Sequence, residues 1–371
     1  MPQSKYLSLL MVPTDYCNMG CKYCFFDKIS RPENKMNIET LEHLMRITLR
    51  FYSNVSFIWH GGEPLSMGLD FYKKAAELQE YYKKKYDVKV SNNIQSNITL
   101  LTEEMADFFV KNNFTIGSSY DGICNHETRG LSEKILTGVD IYKNAGGNCG
   151  MISVVSKMTV DTLIESYEFF KSQKLNYKLN PYLGTDEELS LDYDMYTQAM
   201  IELFNYWALD TDTPVNISSF GVYIDYILLH RKHLCTFTSC LGKWASVNYN
   251  GTIKPCNRYF PDEYSYGNIF DYDSFDEAFN SEGFRRLITK AIDRREKCKL
   301  CDLWEFCSGG CNYIALNECN GIENNGGNHC KFLLTIYKYI ESFLEDNKDN
   351  PKLNKFIRIK FEMCNKENVS R

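Results

Sequence analysis

The 371-residue chain is 44% hydrophobic and 24% charged with no low-complexity tract, which excludes a disordered protein and leaves a globular one with a sizeable core. A formal charge of −6 argues against a general nucleic-acid binder, and the one basic run, Lys83 to Lys85, reads as the solvated end of a helix. Met1 to Val12 lacks the basic start and cleavage site of a secretory signal, and no apolar run is long enough to span a bilayer, so a cytoplasmic protein without a membrane partner is expected.

In chain order, strand candidates at 6–12, 55–60, 90–96, 114–120, 149–155 and 176–182 alternate with helix candidates near 38–52, 69–86, 102–112, 131–145 and 159–174. This is the βαβ rhythm of a parallel sheet, and a partial barrel suits it as well as an open sheet. "MNIETLEHLMRITLRF" shows the helical signal: Asn37 can cap, Glu39 lies in the first turn, and Leu41, Leu44, Met45 and Ile47 fall near helical spacing. Past about residue 230 the rhythm breaks into a loop-rich, cysteine-rich stretch that closes on a helix from about 330 to 346. Helix and strand are not expected to dominate there, and bound metal clusters are the expected source of stability. A boundary between about 220 and 235 divides the chain into domains 1–228 and 229–371.

Fifteen cysteines in a reducing compartment read as metal or cluster ligands rather than disulfides. Cys17, Cys21 and Cys24 directly follow the first strand, at the carboxyl end where α/β folds place their active sites. Their spacing lets one loop give three thiolates to three irons of a [4Fe–4S] cluster, leaving the fourth iron open. Zinc is the rival, since it also takes thiolates and keeps an open position in catalytic sites.

The longer pattern "CNMGCKYCF", with an aromatic before and after the last cysteine, resembles the radical S-adenosylmethionine (radical SAM) superfamily, in which the open iron chelates the amino and carboxylate groups of SAM. "WHGGEPL" at 59–65 is similar to that superfamily's GGEP element. Gly61 and Gly62 would let a backbone approach a ligand closely, and Glu63, before Pro64, would accept from the SAM ammonium. Polar strand ends suited to the ribose and methionine parts follow: Gln95, Ser96 and Asn97 in "IQSN", then Ser119 and Asp121 in "SSYDG". The resemblance thus implies SAM contacts from Tyr23, Gly61, Gly62, Glu63, Pro64, Gln95, Ser96, Asn97 and Ser119, with Ser119 matching the serine of the family's SxDG strand end.

The later cysteines run Cys240-x10-Gly251-x4-Cys256, then Cys298-x2-Cys301-x5-Cys307-x3-Cys311, then Cys330 after eighteen more residues. In "YNGTIKPC" an Asn-Gly turn returns Cys256 toward the preceding strand. Taken alone, the block also suits a zinc-stabilised module. The whole pattern resembles the SPASM extension of radical SAM enzymes, and Cys235 supplies an eighth thiol. Resemblance to the sulfatase-maturating enzymes of that group assigns Cys235, Cys240, Cys256 and Cys311 to a first auxiliary [4Fe–4S] cluster. Cys298, Cys301, Cys307 and Cys330 go to a second. It implies a partial (β/α)6 TIM-like barrel followed by a loop-rich iron–sulfur domain and a C-terminal helix, with three [4Fe–4S] clusters and SAM as cofactors. Cys149 reads as a core residue, Cys319 and Cys364 as bystanders, and Cys124 has no assigned role.

The reaction implied is reductive cleavage of SAM to a 5′-deoxyadenosyl radical that takes hydrogen from a peptide, with flavodoxin or ferredoxin as electron donor. In anaerobic sulfatase maturases an aspartate after the third ligand of the first auxiliary cluster removes the substrate proton; here Asn257 stands there, and a neutral amide cannot take a proton. Oxidation or crosslinking of a ribosomally made peptide, through a thioether or carbon–carbon bond, is therefore the expected activity. Asp262 and Glu263 are the acid/base candidates on the same segment. Conversion of cysteine or serine to formylglycine is the alternative, and a non-catalytic metal-stapled binding protein is the third reading.

Overall fold

The computed structural model describes residues 5–25 and 33–369; residues 1–4 of the stretch read for a secretory signal lie outside the described residues. Among the described residues there are eight strands: β1 (Tyr6–Val12), β2 (Asn54–Trp59), β3 (Lys89–Gln95), β4 (Phe114–Ser119), β5 (Met151–Val155), β6 (Tyr177–Pro181), β7 (Trp244–Asn248) and β8 (Ile253–Lys254). The first six coincide with the sequence-predicted strands to within two residues. The chain forms two compact units, one of Met1–Ser119, Arg129–Cys149 and Cys240–Lys290, the other of Tyr120–Thr128, Gly150–Ser239 and Ala291–Arg371.

In the first unit the strand order is β4-β3-β2-β1-β7-β8. All neighbours are parallel except the β7–β8 hairpin. The register aligns Met11 with Trp59, Trp59 with Ile94 and Ile94 with Ile116, so the loops that leave β1, β2, β3 and β4 emerge along one edge. That edge carries the cysteine loop, the HGGEP turn and the QSN strand end. Helix Ile38–Leu49 starts as its sequence predicts, with the Asn37 side chain accepting from the Thr40 amide at 2.7 Å. Trp59 packs edge-on against Phe71 and Tyr72 at 5.8 and 5.6 Å between ring centroids, and its indole donates to Asn92 Oδ1 at 3.0 Å. At the β7–β8 turn Gly251 has φ +85°, the left-handed conformation that the Asn-Gly signal predicts.

In the second unit β5 pairs parallel with β6. Its core joins helices Tyr193–Ala208, Ser218–Leu229, Asn328–Asp346 and Lys355–Val369 through stacked and edge-on aromatics, including Tyr196 on Phe332 at 4.5 Å and Phe204 on Phe220 at 5.2 Å. The expectation that helix would not dominate past residue 230 is corrected. Besides the expected helix, which spans Asn328–Asp346, helices of 17 and 15 residues, Glu282–Cys298 and Lys355–Val369, lie there. In the first of these the buried residues Phe284, Leu287, Ala291 and Arg294 form one stripe at helical spacing, and a buried arginine in that stripe breaks the apolar pattern on which the sequence reading depended. Among the described residues no helix is long and apolar enough to cross a membrane.

Candidate active site

The cysteine loop leaves β1 and is held by the turn that leaves β2. Backbone amides of His60, Gly62 and Glu63 donate to the carbonyls of Met11, Thr14 and Tyr16 at 2.7, 3.0 and 2.6 Å. A Cβ on Gly62 would stand 2.0 Å from the Tyr16 carbonyl oxygen, and one on Gly61, whose φ is +106°, 2.7 Å from Val12 Cγ1. In this structure the two glycines therefore admit the cysteine loop itself, backbone against backbone.

Glu63 is 1% exposed and fully engaged on one oxygen: Oε1 accepts from the Leu65 amide at 2.8 Å and the Ser96 hydroxyl at 2.7 Å, while Oε2 accepts from the Asn97 amide at 2.7 Å. Burial pushes its carboxyl pKa up, against these hydrogen bonds and the charge of Arg129. Oε2 keeps an acceptor site for a further donor. Asn97 in turn donates to Cys17 Sγ at 3.7 Å and to Asn18 Oδ1 at 2.8 Å, so the β3 end reaches the first cysteine directly. Gln95 donates to Ser119 Oγ at 3.1 Å, and Tyr23 accepts from Arg129 Nη1 at 2.7 Å under a guanidinium 5.8 Å from its ring centre. Tyr23, Gly61, Gly62, Glu63, Pro64, Gln95, Ser96, Asn97 and Ser119 thus all belong to the first unit with Cys17, Cys21 and Cys24. Asp121 belongs to the second, where it accepts from Val154 N at 2.9 Å and Thr128 Oγ1 at 2.7 Å.

Cys21 and Cys24 lie close enough to Cys17 to disfavour its thiolate. Burial raises the Cys17 pKa, the Met19 amide opposes this, and Glu63, Cys21 and Cys24 add to the rise. An iron that binds such thiols removes the penalty, because a coordinated thiol is deprotonated outright. In the second unit burial, Cys330, Cys298 and Cys301 push the Cys307 thiol up to about 12, against the Gly309 amide. Cys298, Cys301 and Cys330 therefore all lie near Cys307. The Leu303 amide and Asn325 Nδ2 donate to Cys301 and Cys298 sulfurs at 3.5 and 3.4 Å. Cys319, read from sequence as a bystander, lies beside Cys330. Of the other ligand set, Cys235 and Cys311 lie in the second unit, Cys240 and Cys256 in the first. Cys149 is 2% exposed, as a core residue is.

Cys256 Sγ and Asn257 Oδ1 are 3.4 Å apart. Asp262, with its side chain 95% exposed, pairs with Lys254 at 3.2 Å, and Glu263 pairs with Arg286 at 3.8 Å. His60 escaped the sequence reading. Its Nδ1 accepts from the Gly61 amide at 2.7 Å, and burial and the charge of Arg258 lower its pKa to about 4, which leaves a neutral ring with Nε2–H as donor. Arg129 and Asn18 were missed as well, because their partners are distant in sequence and are brought together only by strand register.

The Radical SAM superfamily profile matches residues 11–170, and the SPASM iron–sulfur cluster-binding domain matches residues 235–302. The chain carries a radical SAM domain and a SPASM domain. It is 29% identical to the cysteine-type anaerobic sulfatase-maturating enzyme of Clostridium perfringens, over 82% of this chain and 88% of that one. It is 27% identical to the serine-type enzyme of Bacteroides thetaiotaomicron, over 84% and 83%. The solved structure "Native anSMEcpe with bound AdoMet" superposes with a TM-score of 0.83 at 27% identity, covering 93% of this chain and 99% of that one. Streptococcus suis SuiB, with a TM-score of 0.58 at 18% identity over 86% and 76%, shares the fold. The radical SAM chain is thus an α/β protein with an open, partial barrel of parallel strands followed by the SPASM domain. It is an enzyme that acts by radical chemistry, with SAM and [4Fe–4S] clusters as cofactors, which sets aside the zinc module and the non-catalytic reading. The surroundings of Cys17 and Cys307 suit such clusters: burial and neighbouring thiols keep both protonated, a penalty that a bound metal would remove.

Proposed function

We propose that this enzyme oxidises a cysteine or serine side chain of a sulfatase-type peptide to formylglycine. The observation that carries this reading is that the likeness to sulfatase-maturating enzymes of both types spans four fifths or more of the chain. It extends to a structure with bound AdoMet and Kp18Cys peptide, at a TM-score of 0.81, whereas the likeness to SuiB is one of fold.

In this reading Cys17, Cys21 and Cys24 hold the cluster that binds SAM, and Tyr23, Gly61, Gly62, Pro64, Gln95, Ser96, Asn97 and Ser119 surround the cofactor. When bound, SAM and its cluster supply the radical that takes one hydrogen atom from the side chain. The side chain then gives up a proton and a second electron, and for cysteine the resulting thioaldehyde is hydrolysed to the aldehyde with loss of hydrogen sulfide. Cys235, Cys240, Cys256 and Cys311, with Cys298, Cys301, Cys307 and Cys330, would hold two auxiliary clusters able to accept that second electron. The separate electron that cleaves SAM would come from a flavodoxin or ferredoxin.

Asn257 supports a second reading. An amide has no proton-accepting role at working pH, so proton removal falls to water or to a carboxylate such as Asp262 or Glu263, and a crosslinking maturase needs no base at 257. Mass spectrometry of a cysteine-containing sulfatase peptide after anaerobic turnover separates the two. Formylglycine replaces CH2SH by an aldehyde that reacts with hydrazine reagents; a thioether or carbon–carbon bond removes H2 and leaves no aldehyde.

A further inference from the structure

The helix Glu282–Cys298 carries Arg294 one turn before Cys298, on its buried stripe. Arg294 is 2% exposed, and no carboxylate pairs with it among the described residues. Its guanidinium instead donates to four neutral acceptors: Nε to the Gly309 carbonyl at 2.8 Å, Nη2 to Asn312 Oδ1 at 2.6 Å and the Gly310 carbonyl at 3.5 Å, and Nη1 to the Ile322 carbonyl. Three of these acceptors lie on the segment that runs from Cys307 to Asn312 and so contains Cys311.

A guanidinium stays charged in proteins, and an isolated buried charge is among the costliest features a fold can contain. Some anion must offset it. Burial and the neighbouring Arg295 disfavour its charge, and the groups that favour it are Cys311, Cys298 and Cys307. By the ligand assignment above, Cys311 belongs to the first auxiliary cluster and Cys298 and Cys307 to the second. Four thiolates outweigh the positive charge of a [4Fe–4S] core, and reduction adds one more negative charge. A fixed cation beside the ligands therefore favours the reduced form, since net charge and hydrogen bonds near the sulfurs set these potentials.

We propose that Arg294 is the shared counter-charge of the two auxiliary clusters, held on the Cys307–Asn312 segment so that it raises both reduction potentials. It acts as a positioning residue. The fork fixes the loop between the two ligand sets, and the charge makes both clusters better acceptors of the electron that leaves the substrate. The proposal rests on the reading that these eight cysteines hold two clusters.

The test is a redox titration of the auxiliary clusters, followed by electron paramagnetic resonance, in full-length protein carrying Cys17→Ala, Cys21→Ala and Cys24→Ala so that only auxiliary signals remain. This protein must first hold about eight irons. A markedly lower count overturns the two-cluster reading and the proposal with it, whatever Arg294 does. Arg294→Gln keeps some hydrogen bonds and loses the charge. Asn312→Asp keeps the arginine and sets a carboxylate against it. Each is expected to lower both potentials so that the oxidised-to-reduced ratio at fixed potential rises about tenfold, or 59 mV for a one-electron couple. Arg294→Lys, which keeps the charge, is expected to stay close to the parent protein. If Arg294→Gln loses iron while Arg294→Lys keeps it, the charge is required for assembly, which supports the proposal. Iron-loaded Arg294→Gln or Asn312→Asp with unmoved potentials overturns it, as does equal iron loss in Arg294→Gln and Arg294→Lys, which would make the fork's hydrogen bonds its whole role.

Discussion

Ser96 donates its hydroxyl to Glu63 Oε1 at 2.7 Å, and Ser96 Oγ in turn accepts from the Ile98 amide at 2.7 Å. The carboxylate at the end of β2 is thereby tied to the end of β3, and through Asn97 the tie continues to Cys17. Ile98, fully buried with φ +63°, adopts a backbone conformation that a β-branched residue rarely takes, and the hydrogen bonds through Ser96 hold it there.

Glu63→Gln is expected to put an amide donor against the Asn97 or Leu65 amide and to cost about 2 kcal/mol of stability. Denaturant unfolding of the metal-free variant measures this without any contribution from cofactors. The same variant should bind SAM more weakly once reconstituted.

Gly62→Ala drives a methyl group into the Tyr16 carbonyl and displaces the cysteine loop. Iron content should fall from about twelve to about eight per chain, with the auxiliary clusters kept and SAM cleavage lost. Iron assay with anaerobic assay of 5′-deoxyadenosine checks both halves.

His60 has a folded-state pKa of about 4 against an ordinary 6.5. The unfolded chain therefore binds a proton first as pH falls, so stability is fully present above about 6.5 and is lost between there and about 4, by at most about 1.4 kcal/mol per pH unit. His60→Gln should show a smaller loss of denaturation midpoint between pH 7 and pH 5 than the parent protein.

Asn257→Asp places a carboxylate next to Cys256, where sulfatase maturases carry one. If proton removal limits formylglycine formation, the variant should turn over a cysteine peptide about a hundred times faster, at the low end of what a positioned base contributes. Single-turnover measurements on the two proteins give the comparison.

The cysteine motifs and the six leading strands could be read from sequence because both are local: ligand spacing and βαβ rhythm need no knowledge of which strands touch. The partners of Glu63 could not, since Ser96 and Asn97 meet it only through the β2–β3 register. Arg129, 106 residues from Tyr23, and Asn18, 81 from Thr99, were hidden for the same reason. Gly61 and Gly62 were recognised as sites of close approach, yet only the structure identifies the approaching chain as the cysteine loop. Helix Glu282–Cys298 was missed because Arg294 occupies a core position where an apolar residue would have marked the face. Local propensity could have recovered that helix, as its run of Arg, Lys, Glu and Leu favours helix strongly.

Formation of formylglycine is the function proposed for this enzyme. The most direct measurement is mass spectrometry of a cysteine-containing sulfatase peptide incubated anaerobically with the reconstituted enzyme, SAM and a low-potential reductant. The expected products are 5′-deoxyadenosine and a peptide in which CH2SH has become an aldehyde captured by a hydrazine reagent. A product that has lost only H2 and yields no hydrazone, or 5′-deoxyadenosine formed over an unchanged peptide, would contradict that function.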